Sequence, residues 1–372
     1  MMSDERTAGV DRRSFFKTAG AGLAAAGLAL TPGEQALAQT WSEKDKLDRI
    51  ASCSWPIRFI FKSRPRPAGA TGGGGAGAQL SDELKKKYGE ITMLDFPQFT
   101  KDTFPGVTHM DIFSGLFGDV TDDSMFDGRQ FDPSSASGRK WLDKMAAKLV
   151  ETGTRVQHIS NNAPTNLAES NTVLRKAGVE IGKKWLDGAA ILGAKSVRMN
   201  SPQALGPSIR PNAIIDPETR YPKNNDIIPL LNNAIESYKE MADHGGKYGI
   251  KVTIENHWGL AADPMNIRII IDTVNHPYCE ASPDFCNWEH EYMLFNGLKA
   301  LAPYSSSNVH AKYWDRWGEK NDVQRSVRVM LAGGFKGTFA LEYEAGPLNG
   351  IEGAKYLYKE VLAALSSPTP VT

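Results

Sequence analysis

Four residues able to bind a metal stand at regular intervals in the second half of the chain. Glu255 in VTIENHWG, Asp284 in SPDFCNW, His310 in NVHAKYWD and Glu342 in FALEYEAG are separated by 29, 26 and 32 residues. Each closes a short apolar run, where a strand would end. A lone strand-end Glu is ordinarily a surface ion-pair partner, and a lone His is more often a hydrogen-bonded core residue. Four in succession, one per repeating unit, point instead to a shared centre. Three carboxylates and one imidazole form a hard, oxygen-dominated set suited to one divalent ion, Mn²⁺ first, with Mg²⁺, Co²⁺ or Zn²⁺ as alternatives.

Other polar residues fall at comparable positions. His257 lies two residues past Glu255, so an extended strand puts both on one side. His158 and Asn200 close two earlier apolar runs, and Asp111 sits inside another, as weaker candidates. Trp258, Trp288, Trp314 and Trp317 follow the same strand ends. Aromatic rings pack on the C–H faces of sugars, so a Trp-lined mouth suits a carbohydrate, with Trp258 and Trp314 the rings expected in the pocket.

The elements that must hold these residues are parallel strands joined by helices. The strand candidates are RIASCSW (49–55), VTHMDIF (107–113), RVQHIS (155–160), KSVRMN (195–200), KVTIEN (251–256), EASPDF (280–285), SNVHAK (307–312) and GTFALEY (337–343). Between them, Trp141, Met145 and Leu149 recur at helical spacing, as do Leu230, Leu231, Ala234, Ile235 and Tyr238. ETGTRV, LGAKSV and KYGIKV each place a Gly where a helix stops just before a strand. Eight strand–helix units in about 330 residues, with no linker-like break, predict an α/β fold: one (β/α)8 TIM barrel over residues 39–372. Two stretches interrupt the repeat, a Gly-rich insertion at 63–79 and a long Pro-rich loop at 201–226. Both leave the carboxyl end of a strand, and the second is the better lid candidate.

Residues 1–38 read differently. DRRSFFK is followed by TAGAGLAAAGLAL and then Ala36-Leu37-Ala38. The segment resembles a twin-arginine signal cleaved near Ala38, implying engagement of the twin-arginine translocation machinery and a periplasmic, bacterial location. Its apolar run of about 14 residues falls short of the ~20 that span a bilayer, so no stable membrane anchor is expected. Lys plus Arg and Asp plus Glu each number 43, which gives no basic surface for a polyanion and argues against nucleic acid as a partner. Cys53, Cys279 and Cys286 lack the spacing of a disulfide framework or a zinc pair and read as small buried hydrophobes.

With Glu, Asp, His and Glu in this order from 250 to 345, the chain resembles the sugar phosphate isomerase/epimerase superfamily, the xylose isomerase-like barrels. The resemblance implies proton abstraction beside a carbonyl, with Glu255 and Glu342 exchanging protons as well as binding metal, and Asp284 and His310 as ligands only. It also implies substrate contacts from Arg316, six residues after His310, and from Lys312, which matches a His-x-Lys pattern of the dehydratase branch. His257, in an ENH sequence familiar in the family, joins them. Where ketose epimerases carry a His three residues after the Asp, this chain has Asn287, a departure that bears on the reaction.

The expected substrate is therefore a small, non-phosphorylated sugar, since sugar phosphates are largely cytoplasmic. The leading reading is a metal-dependent isomerase or epimerase. A lyase or dehydratase acting on a keto-sugar or 3-keto-glycoside is the alternative, and an exported sugar-binding barrel the non-enzymatic one. A homo-oligomer is left open.

Overall fold

The eight apolar runs become eight parallel strands in a computed structural model that describes residues 41–62, 64, 76–200, 214–215 and 221–367. They are β1 (Ile50–Cys53), β2 (His109–Phe113), β3 (Arg155–Ser160), β4 (Ser196–Arg198), β5 (Lys251–Ile254), β6 (Cys279–Ala281), β7 (Asn308–Trp314) and β8 (Thr338–Ala345). The sheet runs β6-β5-β4-β3-β2-β1-β8-β7, so β8 returns to pair with β1, Ile50 opposite Phe339. The gap between β6 and β7 is closed beyond the end of β6. There Asp284 and His310 form a parallel bridge: His310 N–H donates to Pro283 O at 2.9 Å and Phe285 N–H to His310 O at 3.1 Å. The barrel thus closes on two of the four residues singled out by their spacing.

Nearly every strand residue is buried, as in a parallel barrel with side chains inside and helices outside. The outer helices follow the apolar stripes. Trp141, Met145 and Leu149 are buried on α1 (Ala136–Thr152), and Leu230, Leu231, Ala234 and Tyr238 on α2 (Ile228–Gly246), while Ile235 is only partly covered. Three expected turns are built as their glycines require, with Gly153, Gly193 and Gly249 at φ of 66°, 64° and 70°.

Several boundaries differ from expectation. β4 stops at Arg198, and β6 is three residues long, because after Ser282 the next N–H facing β5, that of Asp284, goes to the Asn256 side chain instead of the β5 backbone. Residues 76–79, read as the end of the Gly-rich insertion, open a helix, Ala76–Tyr88. Of the 201–226 loop, the described residues form a small hairpin, Ile214–Ile215 against Pro222–Lys223. Residues 63, 65–75, 201–213 and 216–220 of the two insertions, and residues 1–40 with the signal segment, lie outside the described residues. All three cysteines are free and buried. Among the described residues no helix is long and apolar enough to cross a membrane.

Candidate active site

Glu255 directly follows β5 and is almost completely buried. Its Oε1 accepts from Asn287 Nδ2 at 3.0 Å and lies 3.4 Å from His310 Nδ1, while Oε2 is gripped by Arg198 at the end of β4. Burial alone would raise its pKa, but Arg198 and His310 hold the carboxyl well below the usual range. Asp284 is fixed by its neighbours. Asn256 accepts from its N–H at 2.7 Å and donates to its carbonyl at 2.9 Å, and its own Oδ1 accepts from the N–H groups of Cys286 and Asn287 at 2.7 and 3.1 Å. Oδ2 is left facing the barrel axis, where burial raises the carboxyl to about 7, with Lys312 opposing the shift and Glu342 and Glu255 adding to it.

His310 stands between these carboxylates. Its Nε2 pairs with Asp111 Oδ2 at 2.8 Å, and Asp111 in turn accepts from Ser160 at 2.8 Å and Asn308 at 3.1 Å. A hydrogen on Nε2 leaves a lone pair on Nδ1, and Nδ1 has no hydrogen-bond partner. It faces Glu255 Oε1 at 3.4 Å and Glu342 Oε2 at 3.7 Å. Burial works against charging the ring, but Glu255, Glu342 and Asp111 raise its pKa well above the ordinary value.

Lys312, on the same side of β7 as His310, is buried at 3% exposure. Its Nζ lies 3.0 Å from Asp284 Oδ2, 3.0 Å from Glu342 Oε1 and 3.7 Å from Glu344 Oε2, and donates to Asn287 Oδ1 at 3.0 Å. The sequence reading set it among substrate contacts; the structure sets it among the acids as well as on the cavity wall.

Four buried carboxylates, Asp111, Glu255, Asp284 and Glu342, thus face two buried cations, Arg198 and Lys312. A divalent ion on Nδ1 would take the place of the His310 proton, hold Asp284 ionised and balance the two negative charges then left over. Ligand atoms of Glu255, Asp284 and His310 lie within 4.8 Å of one another. The unpartnered Nδ1, the oriented second nitrogen and the charge excess fit a divalent metal held by these three with Glu342. Asp111, His158 and His310 form a second such group, but hydrogen bonds already occupy both Asp111 oxygens.

Above this floor opens a cavity of about 230 Å³. Glu342, Lys312, Arg198 and Asn287 form its base, and Trp258, Trp314, His257 and Arg316 line one side. Arg316 stacks over Trp314 and Trp317, with its guanidinium carbon 5.2 and 4.5 Å from the ring centres. His257 accepts from Trp258 Nε1 at 2.6 Å, and burial keeps its pKa well below the ordinary value. Two expected substrate contacts are placed elsewhere. His158 is fully buried beneath the floor, its Nδ1 2.7 Å from Ser196 Oγ, because its side chain points into the barrel one layer below the rim. Asn200 lies past the end of β4 and is turned away to donate to Asn162 O at 2.9 Å. Trp288 is core, packed on Gly297.

The opposite wall was not anticipated. Trp55 and Phe113, edge to face with centroids 4.8 Å apart, close the β1–β2 side. Trp55 Nε1 donates to Glu344 Oε2 at 2.6 Å, and Arg58 lies 3.7 Å from Glu344 Oε1. The two-residue strand period could have found Glu344, on the side of Glu342, whereas Arg198 and Asn287 carry no ligand-like signal.

Strand order, barrel closure and a candidate metal centre at the carboxyl ends of the strands define a (β/α)8 barrel with the site where such barrels carry it. The chain belongs to the xylose isomerase-like TIM barrel family, which residues 122–365 match. No curated protein matches it in sequence. Among solved structures it is similar to an L-ribulose 3-epimerase, at 12% identity and TM-score 0.55, covering 86% of this chain and 95% of that one. It is similar to a 3-keto-D-glucoside 4-epimerase of E. coli, at 12% identity and TM-score 0.50, covering 81% and 99%. A protein of Sinorhizobium meliloti 1021 aligns at 12% identity and TM-score 0.51, covering 84% and 97%.

Proposed function

We propose that the chain is a divalent-metal-dependent isomerase or epimerase of a non-phosphorylated sugar, acting by proton abstraction next to a carbonyl. The observation that carries this reading is the placement of Glu255 and Glu342 on two sides of the unpartnered His310 Nδ1, with Glu342 on the cavity base. Glu255, Asp284, His310 and Glu342 would hold the ion, for which Mn²⁺ is the preferred choice. When bound, it polarises the substrate's carbonyl and adjacent hydroxyl oxygens.

The protein's own groups do the rest. Arg198 keeps Glu255 ionised and oriented, and Glu255 and Glu342 would be the two carboxylates that exchange protons with carbon. The Lys312 ammonium stands beside Glu342, where negative charge on a substrate oxygen would develop. A neutral substrate is supported by the cations of the cavity base, since Arg198 is matched by Glu255, and Lys312 by Asp284 and Glu342. Trp258, Trp314, Trp55 and Phe113 all line the cavity and would receive the C–H faces of a sugar ring. The names of the two epimerases of similar fold agree with this chemistry. The DRRSFFK segment and Ala36-Leu37-Ala38 support action outside the cytoplasm, in the periplasm.

A second reading, a lyase on a keto-sugar or 3-keto-glycoside, is favoured by one observation: a carboxamide, Asn287, and a buried lysine share the base of the cavity. NMR in D₂O of Mn²⁺- or Mg²⁺-loaded protein with free ketoses and 3-keto-glucosides separates the two. C–H exchange for deuterium without loss of a group is the expected result; release of a β-substituent would establish the lyase, and turnover of neither class would overturn both.

A further inference from the structure

Lys312 contacts the oxygens that a metal on this site would need. Asp284 Oδ1 is committed to two backbone N–H groups, so Oδ2 is the oxygen left for an ion, and it is Oδ2 that lies 3.0 Å from the ammonium. Glu342 is shared between the two, with Oε2 toward His310 Nδ1 and Oε1 3.0 Å from Lys312. Yet no donor is aligned on Asp284 Oδ2. The ammonium's directed hydrogen bond goes to Asn287 Oδ1 at 3.0 Å, and its attraction to Asp284 is that of a nearby point charge. A divalent ion and an ammonium drawn to the same oxygen repel one another in a buried site. A second berth exists: Glu344 Oε2 is 3.7 Å from Nζ, further along β8 on the cavity wall, and the Trp314 ring centre is 6.0 Å away.

We propose that Lys312 is a built-in competitor for the metal: its ammonium and the ion contend for Asp284 Oδ2, and loading the ion turns the ammonium toward Glu344 and the cavity. The inference rests on the metal reading above and adds a coupling to it. Metal loading would thus move the ammonium off the floor carboxylate and further into the cavity that Lys312 already lines. Glu344, by accepting the displaced ammonium, sets how readily the ion enters.

Calorimetric titration of Mn²⁺ into the wild-type protein, Lys312→Met and Glu344→Gln tests this without turnover. Lys312→Met is expected to bind Mn²⁺ at least tenfold more tightly, and Glu344→Gln several-fold more weakly. Unchanged or weaker binding by Lys312→Met, with wild-type binding intact, would overturn the competition alone; absence of Mn²⁺ binding by the wild type would overturn the metal reading and the competition together. Should Lys312→Met fail to fold, ¹⁵Nζ NMR of lysine-labelled wild type titrated with Mg²⁺ decides. A Lys312 signal that moves and exchanges faster with solvent supports the displacement, and an unmoved one contradicts it.

Discussion

At the scale of single residues, the site is a set of carboxylates whose partners decide their roles. Glu342 is the acid with an open face on the cavity, so Glu342→Gln should lower turnover about 10²- to 10⁴-fold, the usual worth of a positioned proton carrier. Steady-state kinetics at saturating metal would show it, and unchanged turnover would refute the mechanism. Asp111 acts through His310, whose Nε2 it holds at 2.8 Å. Asp111→Asn should therefore weaken Mn²⁺ binding about 10- to 100-fold, as loss of an outer-shell partner does, while the barrel still folds. Calorimetry paired with circular dichroism would check both halves. The four candidate ligand positions were legible because each is an acid or imidazole at an apolar run's end. Arg198 was not, because a basic residue in KSVRMN reads as a solvated strand end, and only the fold brings it to Glu255, 57 positions away. Asn287 could be read only as a missing His, whereas the structure shows it joining Glu255 to Lys312.

At the scale of elements, the strands were readable because both faces of a barrel strand are buried and leave uninterrupted apolar runs. The helix ends were readable because a left-handed cap calls for Gly. Gly153 is such a cap at φ 66°, with open space where a Cβ would be added. Gly153→Ala should thus cost about 1 to 2 kcal/mol through backbone strain alone, measurable as a lowered urea midpoint with unchanged metal affinity. What the local pattern could not give was closure. The β6–β7 join depends on Pro283, Asp284 and His310 meeting across the barrel, and Asn256 clamps that join through both its amide atoms. Trp55 and Phe113 escaped notice for a related reason: the ends of β1 and β2 carry no ligand-type residue, so nothing local marks them as cavity wall.

At the scale of the whole molecule, three histidines, His109, His158 and His257, are held in neutral form by desolvation. Burial lowers His109 to about 4, helped by Arg155, and lowers His158 to about 4 despite Asp111. At these histidines the unfolded chain, near 6.5, binds more protons than the folded one, while Asp284, raised to about 7, binds one more when folded; the histidines outnumber it, so stability should rise with pH from about 4 to 6.5 and be lost on acidification through that window. Urea midpoints across this range should show the slope, and His109→Gln should flatten it; equal slopes would contradict the assignment. His158 also shows how a strand-end residue can mislead, since one layer of barrel depth separates a substrate contact from a core side chain.

The central claim is that Glu255, Asp284, His310 and Glu342 share one divalent ion at the carboxyl end of the barrel. Anomalous scattering at the manganese edge from crystals grown with Mn²⁺ tests it most directly. The account predicts one strong peak within bonding distance of these four side chains, with His310 Nδ1 as the nitrogen ligand. A site free of manganese, or a peak seated on Asp111 and His158 instead, would contradict it.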